Sequence, residues 1–260
     1  MRRLVHARSR IAAAALVVLA VWEVAVLVSA RRSAPTRADW QAVAAAIPPA
    51  LGPDDLVVFA PHWIDPVGRQ WLGDRLSVAK VARMDAVRYR HIWEVSARGA
   101  SAPEVAGAPA ASEQQFGALR LRRVVRDAPV VTWSISDELR LCEIGFEPRQ
   151  GQLLELRRPF AQALREFRQV TLGHELQVYA GLADYQKRSR NQSEVLVQVL
   201  VDGREVARAS AGNNDGWVAL PAAATTGGPH DVRIVARVLN PVGPVDLSVC
   251  VAAESRMWRR

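Results

Sequence analysis

Cysteine is nearly missing from this 260-residue chain, which has only Cys142 and Cys250. Two cysteines are too few for a disulfide scaffold or a zinc site. Whether they form one bridge, as an exported protein allows, or stay two thiols is left open, because bridge geometry is not written in spacing. The catalytic signatures are missing too. There is no Gly-rich phosphate loop, His174-Glu175 lacks the second histidine of a zinc-protease helix, and Ser134, Ser136 and Asp137 lie in no nucleophile elbow. The sequence therefore predicts no catalytic residue, no metal and no cofactor. Asn191-Gln192-Ser193 fits a glycosylation acceptor but also any polar loop, and the polar loop is far commoner.

The net charge of +8 raises nucleic acid as a partner. Its distribution removes that partner. Seven arginines (Arg2, Arg3, Arg8, Arg10, Arg31, Arg32 and Arg37) and Glu23 lie within the first 37 residues, which leaves 27 basic and 25 acidic side chains over 38–260. Arg256, Arg259 and Arg260 fall in what reads as a C-terminal tail, so the folded body is near neutral. Basic ends of this kind suit an anionic membrane surface.

One segment is long and apolar enough to enter a bilayer. Residues 11–30 read IAAAALVVLAVWEVAVLVSA, with Glu23 as the only charge, close to the ~20 residues a spanning helix needs. Val28-Ser29-Ala30 resembles a signal-peptide cleavage site. The run exceeds the usual h-region of about 7–15 residues, and Arg31-Arg32 follows at once. An uncleaved anchor is the expectation, with a cytoplasmic N-terminus. This predicts a single-pass protein of the cytoplasmic membrane with an extracytoplasmic C-terminal body.

The expected division is 1–37 tail and anchor, 38–128 a small α/β domain, and 129–260 an antiparallel β-sandwich, α+β in class. Trp40, Val43, Ala44 and Ile47 recur at i, i+3, i+4 and i+7, which predicts an amphipathic helix ended by Pro48-Pro49. Residues 56–59 (LVVF) read as a strand buried on both faces. A second helix is expected over 76–84, a second strand over 92–95, a poorly structured stretch over 97–111 and an edge strand at Leu119 and Leu121.

The order of the DW helix, PP, DDLVVFAP, an aromatic loop and RYRHIWEVS resembles the extracytoplasmic domain of bacterial glycosyltransferases that use lipid-linked sugars, of the mannosyltransferase type. The resemblance covers about 60 residues. That family's catalytic acids lie in loops between many membrane helices, and this chain has one such run, so only a cell-envelope context is implied.

From about residue 130 the hydrophobic period becomes that of strands. Val195, Val197, Val199 and Val201 alternate, Asp202-Gly203 is a hairpin turn, and Val232 to Val238 and Val245 to Val251 repeat the pattern. Helical signal in this half is confined to 158–166. Residues 172–251, with LGHELQVYAGLADY, VLVQVLVDGREV and NNDGWVAL, are similar to galactose-binding-like, jelly-roll carbohydrate-binding modules. The resemblance implies a sugar site on loop ends, with Tyr185, Arg188, Asn213, Asn214 and Trp217 as its candidates. Trp217 sits just inside a strand, where a core role competes with a sugar platform.

In the first part, His62 and Asp65 follow a predicted strand, where α/β folds place ligand sites. With Trp63 and Arg69 they form an alternative pocket. Two readings follow. The first is a membrane-anchored, non-enzymatic protein that binds glycan or a lipid-linked sugar, or docks an envelope glycosylation enzyme. The second is an envelope transferase or hydrolase with its site near His62 and Asp65.

Overall fold

The computed structural model describes residues 16–29, 31, 34–77, 81, 83–145, 147–157, 161–190, 193–239 and 245–258, without the side chains of residues 84, 85, 185, 188 and 190. Residues 16–29 of the apolar run are helical with every side chain exposed, while 11–15 and 30 lie outside the described residues. Among the described residues no helix is long and apolar enough to cross a membrane.

Helix α1 (Arg37–Ala46) begins at a capping box. Thr36 Oγ1 accepts from Asp39 N at 3.2 Å, and Asp39 Oδ2 accepts from Thr36 N at 2.9 Å. It ends where Ile47, preceding Pro48, turns extended. Strands β1 (Asp55–Ala60) and β2 (His91–Ala97) pair in parallel, with helix α2 (Asp65–Leu72) between them in sequence. Strands β3 (Ala110–Phe116) and β4 (Leu119–Val125) complete a sheet of order β1-β2-β4-β3. One face packs on α1 and α2 through Trp40, Val43, Phe59, Ile64 and Leu72; the other packs Val58 and Ile92 against Tyr89, Ala102 and Val105.

Three expectations for this region need correction. Residues 73–75 and 83–88 are 3-10 turns, not an α-helix over 76–84, and 78–80 and 82 lie outside the described residues. The Arg83 N–H is used elsewhere, donating to Glu147 Oε1. The stretch 97–111 is built, not loose. Fully buried Glu94 accepts from Ser101 Oγ and Ala102 N, and a 3-10 turn at Pro103–Val105 buries Val105. Strand β4 is internal, and the edge is the polar β3.

The remaining strands form two facing sheets: β5 (Val130–Ser134), β6 (Leu139–Ile144), β7 (Glu147–Arg157), β8 (Gln162–Leu172), β9 (Glu175–Ala183), β10 (Glu194–Val201), β11 (Arg204–Ala211), β12 (Val218–Ala219), β13 (Ala223–Ala224), β14 (Gly228–Leu239) and β15 (Asp246–Met257). One sheet runs β11-β10-β14-β8. The other runs β12-β9-β15-β7-β6, with β13 on β9 and β5 on β15. Leu154, Leu176, Val178, Val249 and Val251 from one sheet meet Val195, Val197, Val199 and Ile234 from the other, so the body is a β-sandwich. The helix expected over 158–166 is absent among the described residues: 162–166 open β8, an edge strand, and 158–160 lie outside the description.

Strand β15 is buried on both faces from Leu247 to Arg256. Its inner face joins the sandwich core. Along its outer face, Arg88 from the first sheet's side meets Glu254. Arg256 is therefore no tail residue but 3% exposed, paired with Glu254 and Glu175.

Candidate functional site

The sandwich-loop candidates lie on two segments, 213–217 and the start of the short helix after β9. Val218 pairs with Ala180, which runs 213–217 back alongside the end of β9. There α3 (Tyr185–Arg190) starts, capped by Asp184 Oδ1 accepting from Gln186 N and Lys187 N. The side chains of Tyr185 and Arg188 lie outside the described residues. Asn214 is exposed and Asn213 half-buried, in a turn closed by Asp215 Oδ2 accepting from Gly212 N at 2.7 Å. Trp217 offers no open platform. It packs against Ile144 and the Cys142–Cys250 disulfide, and its Nε1 donates to Glu147 O at 2.9 Å. That bridge joins β6 to β15, with Cα atoms 6.5 Å apart.

The four residues after β1 split into two pairs. Asp65 is buried and accepts from Arg69 Nε at 2.7 Å, one helical turn on, so each neutralises the other. Further along, the Arg83 guanidinium grips Glu104 through Nε at 2.6 Å and Nη2 at 2.8 Å. The Glu104 hydrogen bond holds Arg83 above its ordinary pKa, with further support from the charges of Glu104, Asp65 and Glu147. Asp65 thus belongs to a charge network with Arg69 and Arg83. His62 and Trp63 face outward on a 3-10 turn, Trp63 56% exposed beneath the Arg98 guanidinium at 5.4 Å.

A third locus lies at the seam between the first sheet and the sandwich. A cleft of about 580 Å³ is lined by Asp54, Arg88, Arg90, Asp127, Val130 and Trp258, among others. Its volume falls in the range of small-molecule sites, and seams between packed units are a common place for them. Each wall has a local cause. Asp54 precedes β1, and half-buried Arg88 and exposed Arg90 flank buried Tyr89 after the 3-10 turn.

Beneath them, Arg126 fixes the turn by donating to Tyr89 O, Ala86 O and Glu104 O, and burial holds its pKa below the ordinary value. Asp127 and Pro129 carry the chain from β4 into β5. Trp258 follows β15 and is 43% exposed. Arg88 is held by Glu254 Oε2 at 3.2 Å, and Glu254 is held in turn by Arg256. Two guanidiniums donate, two carboxylates accept, and an indole supplies an apolar face. The sequence reading did not find this cleft, because its walls come from four separate segments.

No family model matches the chain, and no curated protein matches it, so the glycosyltransferase resemblance of the first sheet gains no support there. Among solved structures, the CBM51-2 and INT domains of Clostridium perfringens ZmpB are similar over 54% of this chain and 34% of theirs, at 11% identity and a TM-score of 0.34. The carbohydrate-binding module CBM36, in complex with calcium and xylotriose, is similar over 50% of this chain and 98% of its own, at 10% identity and a TM-score of 0.27. CsCBM6-3 from Clostridium stercorarium, in complex with cellobiose, is similar over 51% and 95%, at 9% and 0.27. The chain spans about a third of the length of the first of these. Likenesses at this level assign no ligand and no site residue to the chain.

Proposed function

We propose that this chain is a membrane-tethered, extracytoplasmic glycan-binding protein without catalytic chemistry of its own, accessory to cell-envelope glycan assembly at the cytoplasmic membrane. On this reading 11–30 is the anchor, 38–128 and 129–260 are the two parts of the body, and the sandwich is of the galactose-binding-like jelly-roll kind. The disulfide supports an oxidising compartment, and the apolar run between basic flanks supports the tether.

The observation that carries the binding function is the seam cleft with Trp258 beside Arg88, Arg90, Asp54 and Asp127. A neutral sugar presents a flat C–H face to an aromatic ring, and hydroxyls that both donate and accept. Carboxylates accept hydrogen bonds from the hydroxyls while guanidiniums donate to the hydroxyl oxygens. Charges of both signs in equal number suit an uncharged polyhydroxylated ring. The pairing of Asp65 with Arg69 disfavours the enzymatic alternative.

The test is binding of the purified full-length chain to a glycan array, followed by titration calorimetry on the best glycan. Trp258→Ala is expected to weaken binding at least about tenfold, the loss of ~1.4 kcal/mol, while Asn214→Ala leaves it unchanged. The reverse pattern would move the site to the sandwich loops, and an array without a hit would sink the glycan reading.

A further inference from the structure

Among the described residues, β8 closes one side of the four-stranded sheet and β6 closes one side of the larger sheet. An edge strand presents unpaired N–H and C=O groups to any extended chain, and an inward-pointing charge is one device that blunts it. On β8 that charge is Arg165. It pairs in register with buried Ile234, so its side chain is directed into the gap between the sheets. Strand β6 carries leucines instead. Leu139 lies opposite Gln152, and Gln152 opposite core residue Val251, so Leu139 and, two residues on, Leu141 share the inner face. They are 38% and 63% exposed.

Between these edges runs a groove of about 750 Å³, with Leu139, Gln152, Ala163 and Arg165 in its walls. Two polar atoms of those walls are buried without a hydrogen-bond partner among the described residues, Gln152 Oε1 and Arg165 Nε. Gln152 is 4% exposed. A buried acceptor left without a donor costs stability, and native structures keep few of them. Here an acceptor that lacks a donor stands in one groove with a donor that lacks an acceptor. A carboxamide carries one group of each kind. Charge in the groove is balanced, Arg140 and Arg165 against Glu138 and Glu155, with Arg165 Nη2 3.6 Å from Glu138 Oε2. That balance favours an uncharged occupant.

We propose that β6 is a docking edge for an extended, uncharged peptide segment of a partner protein, which adds to the sheet as a further strand. An aliphatic side chain of the segment covers Leu139 and Leu141. Two residues along, on the same face, an Asn or Gln side chain enters the groove, donating to Gln152 Oε1 and accepting from Arg165 Nε. Strand addition takes its affinity from main-chain hydrogen bonds and its specificity from alternate side chains. The groove shares no lining residue with the Trp258 cleft, so this docking does not rest on the glycan reading.

The experiment pans the full-length chain in detergent against a phage-displayed library of random octapeptides, then titrates the enriched peptide by fluorescence anisotropy. Enriched sequences are expected to place Asn or Gln two residues from an aliphatic residue. N-methylation of the peptide at alternate positions should abolish binding, and at the intervening positions leave it, because a strand pairs through every second N–H. Hydrogen exchange over 139–144 should slow when the peptide binds. Leu139→Lys and Gln152→Leu should each weaken binding at least about tenfold, the loss of ~1.4 kcal/mol, while Arg168→Ala at an exposed position of β8 leaves it unchanged. Gln152→Leu removes an unpaired oxygen at similar volume, so its denaturation midpoint should not fall and lost binding is not unfolding. A library without enrichment overturns the docking edge, as does a peptide whose binding ignores both variants. Binding indifferent to the position of N-methylation overturns strand addition. A dimer of the chain alone that Leu139→Lys dissolves makes the occupant a second copy and overturns the partner peptide.

Discussion

His230 lies at the start of β14, and its ring is addressed by three neighbours. Nδ1 meets Asp202 Oδ2 at 2.7 Å, and Nε2 faces Thr226 Oγ1 and Gly227 O, both at 3.3 Å. The Asp202 hydrogen bond, aided by the Gly227 carbonyl, holds the imidazole above its ordinary 6.5. The His230 hydrogen bond and the Asp231 N–H hold Asp202 below its ordinary 3.8. Because His230 is raised, its contribution to stability is fully present below the unfolded value and is lost as pH rises through the folded one. Because Asp202 is lowered, its contribution is present above its unfolded value and is lost as pH falls through the folded one. The pair should therefore stabilise the hairpin most between about 4 and about 6.5 and progressively less as pH rises from there through the raised histidine value, and NMR titration of the His230 ring should give a midpoint above 6.5 that falls back on Asp202→Asn. A midpoint unmoved by Asp202→Asn would show the contact to be energetically idle. Sequence reading was weakest for single residues such as these. Arg256 carries a charge that argues for solvent, yet it lies under the first sheet's side because Glu254 and Glu175 compensate it. Nothing in its neighbours Ser255 and Met257 signals those partners.

Helix α2 packs on β1 at Gly68, where the Phe59 ring occupies the space a Cβ would need. In an open helix Gly→Ala would gain roughly 0.5–1 kcal/mol. Here overpacking costs about 1–3 kcal/mol, so the clash wins. Gly68→Ala is expected to lower the denaturant midpoint, whereas Val67→Ala on the exposed side shifts stability by no more than about 0.5 kcal/mol. A stabilised Gly68→Ala would mean that the helix rides further from the strand. Elements with a clean period were legible: α1 from its i, i+3, i+4 spacing, and β1, β10, β14 and β15 from continuous or alternating valines. Strand β8 was not, because an edge strand has a wet face. Its Arg165, Glu166 and Arg168 dilute the alternation that Ala163 and Phe167 keep against the core, where Phe167 meets Trp133 edge to face at 5.4 Å. The 97–111 stretch was misread for a different reason. Small residues and Pro lower local propensity, but the buried Glu94, seven and eight residues upstream of Ser101 and Ala102, accepts hydrogen bonds that composition cannot reveal.

Across the whole chain, the sandwich was readable because its two faces obey the strand period. The docking of the first sheet's side onto the outer face of β15 was not. The alternation of Asp246, Ser248 and Cys250 opposite the valines marks a wet face, yet Ser248 and Cys250 are buried. The disulfide lies on that outer face and ties residues 108 apart in sequence. In the chain-entropy account, closing a loop of ~100 residues destabilises the unfolded state by about 4–5 kcal/mol, a large share of the ~5–15 kcal/mol typical of a folded domain. Cys142→Ala with Cys250→Ala should therefore lower the chemical-denaturation midpoint sharply. Trp217, which packs on the bridge, should show altered fluorescence before global unfolding. The same bond reports where the body resides. In denatured whole-cell extracts prepared with acid quenching, an exported chain should resist maleimide until reduced, and a chain retained in a reducing compartment should react at both cysteines without reduction. Reaction at both would remove the oxidising-compartment support for export. A bridged chain whose double alanine variant keeps its midpoint would instead place the stabilisation in the packing of Ile144, Leu153 and Trp217 around the bond, where the entropic account assigns none.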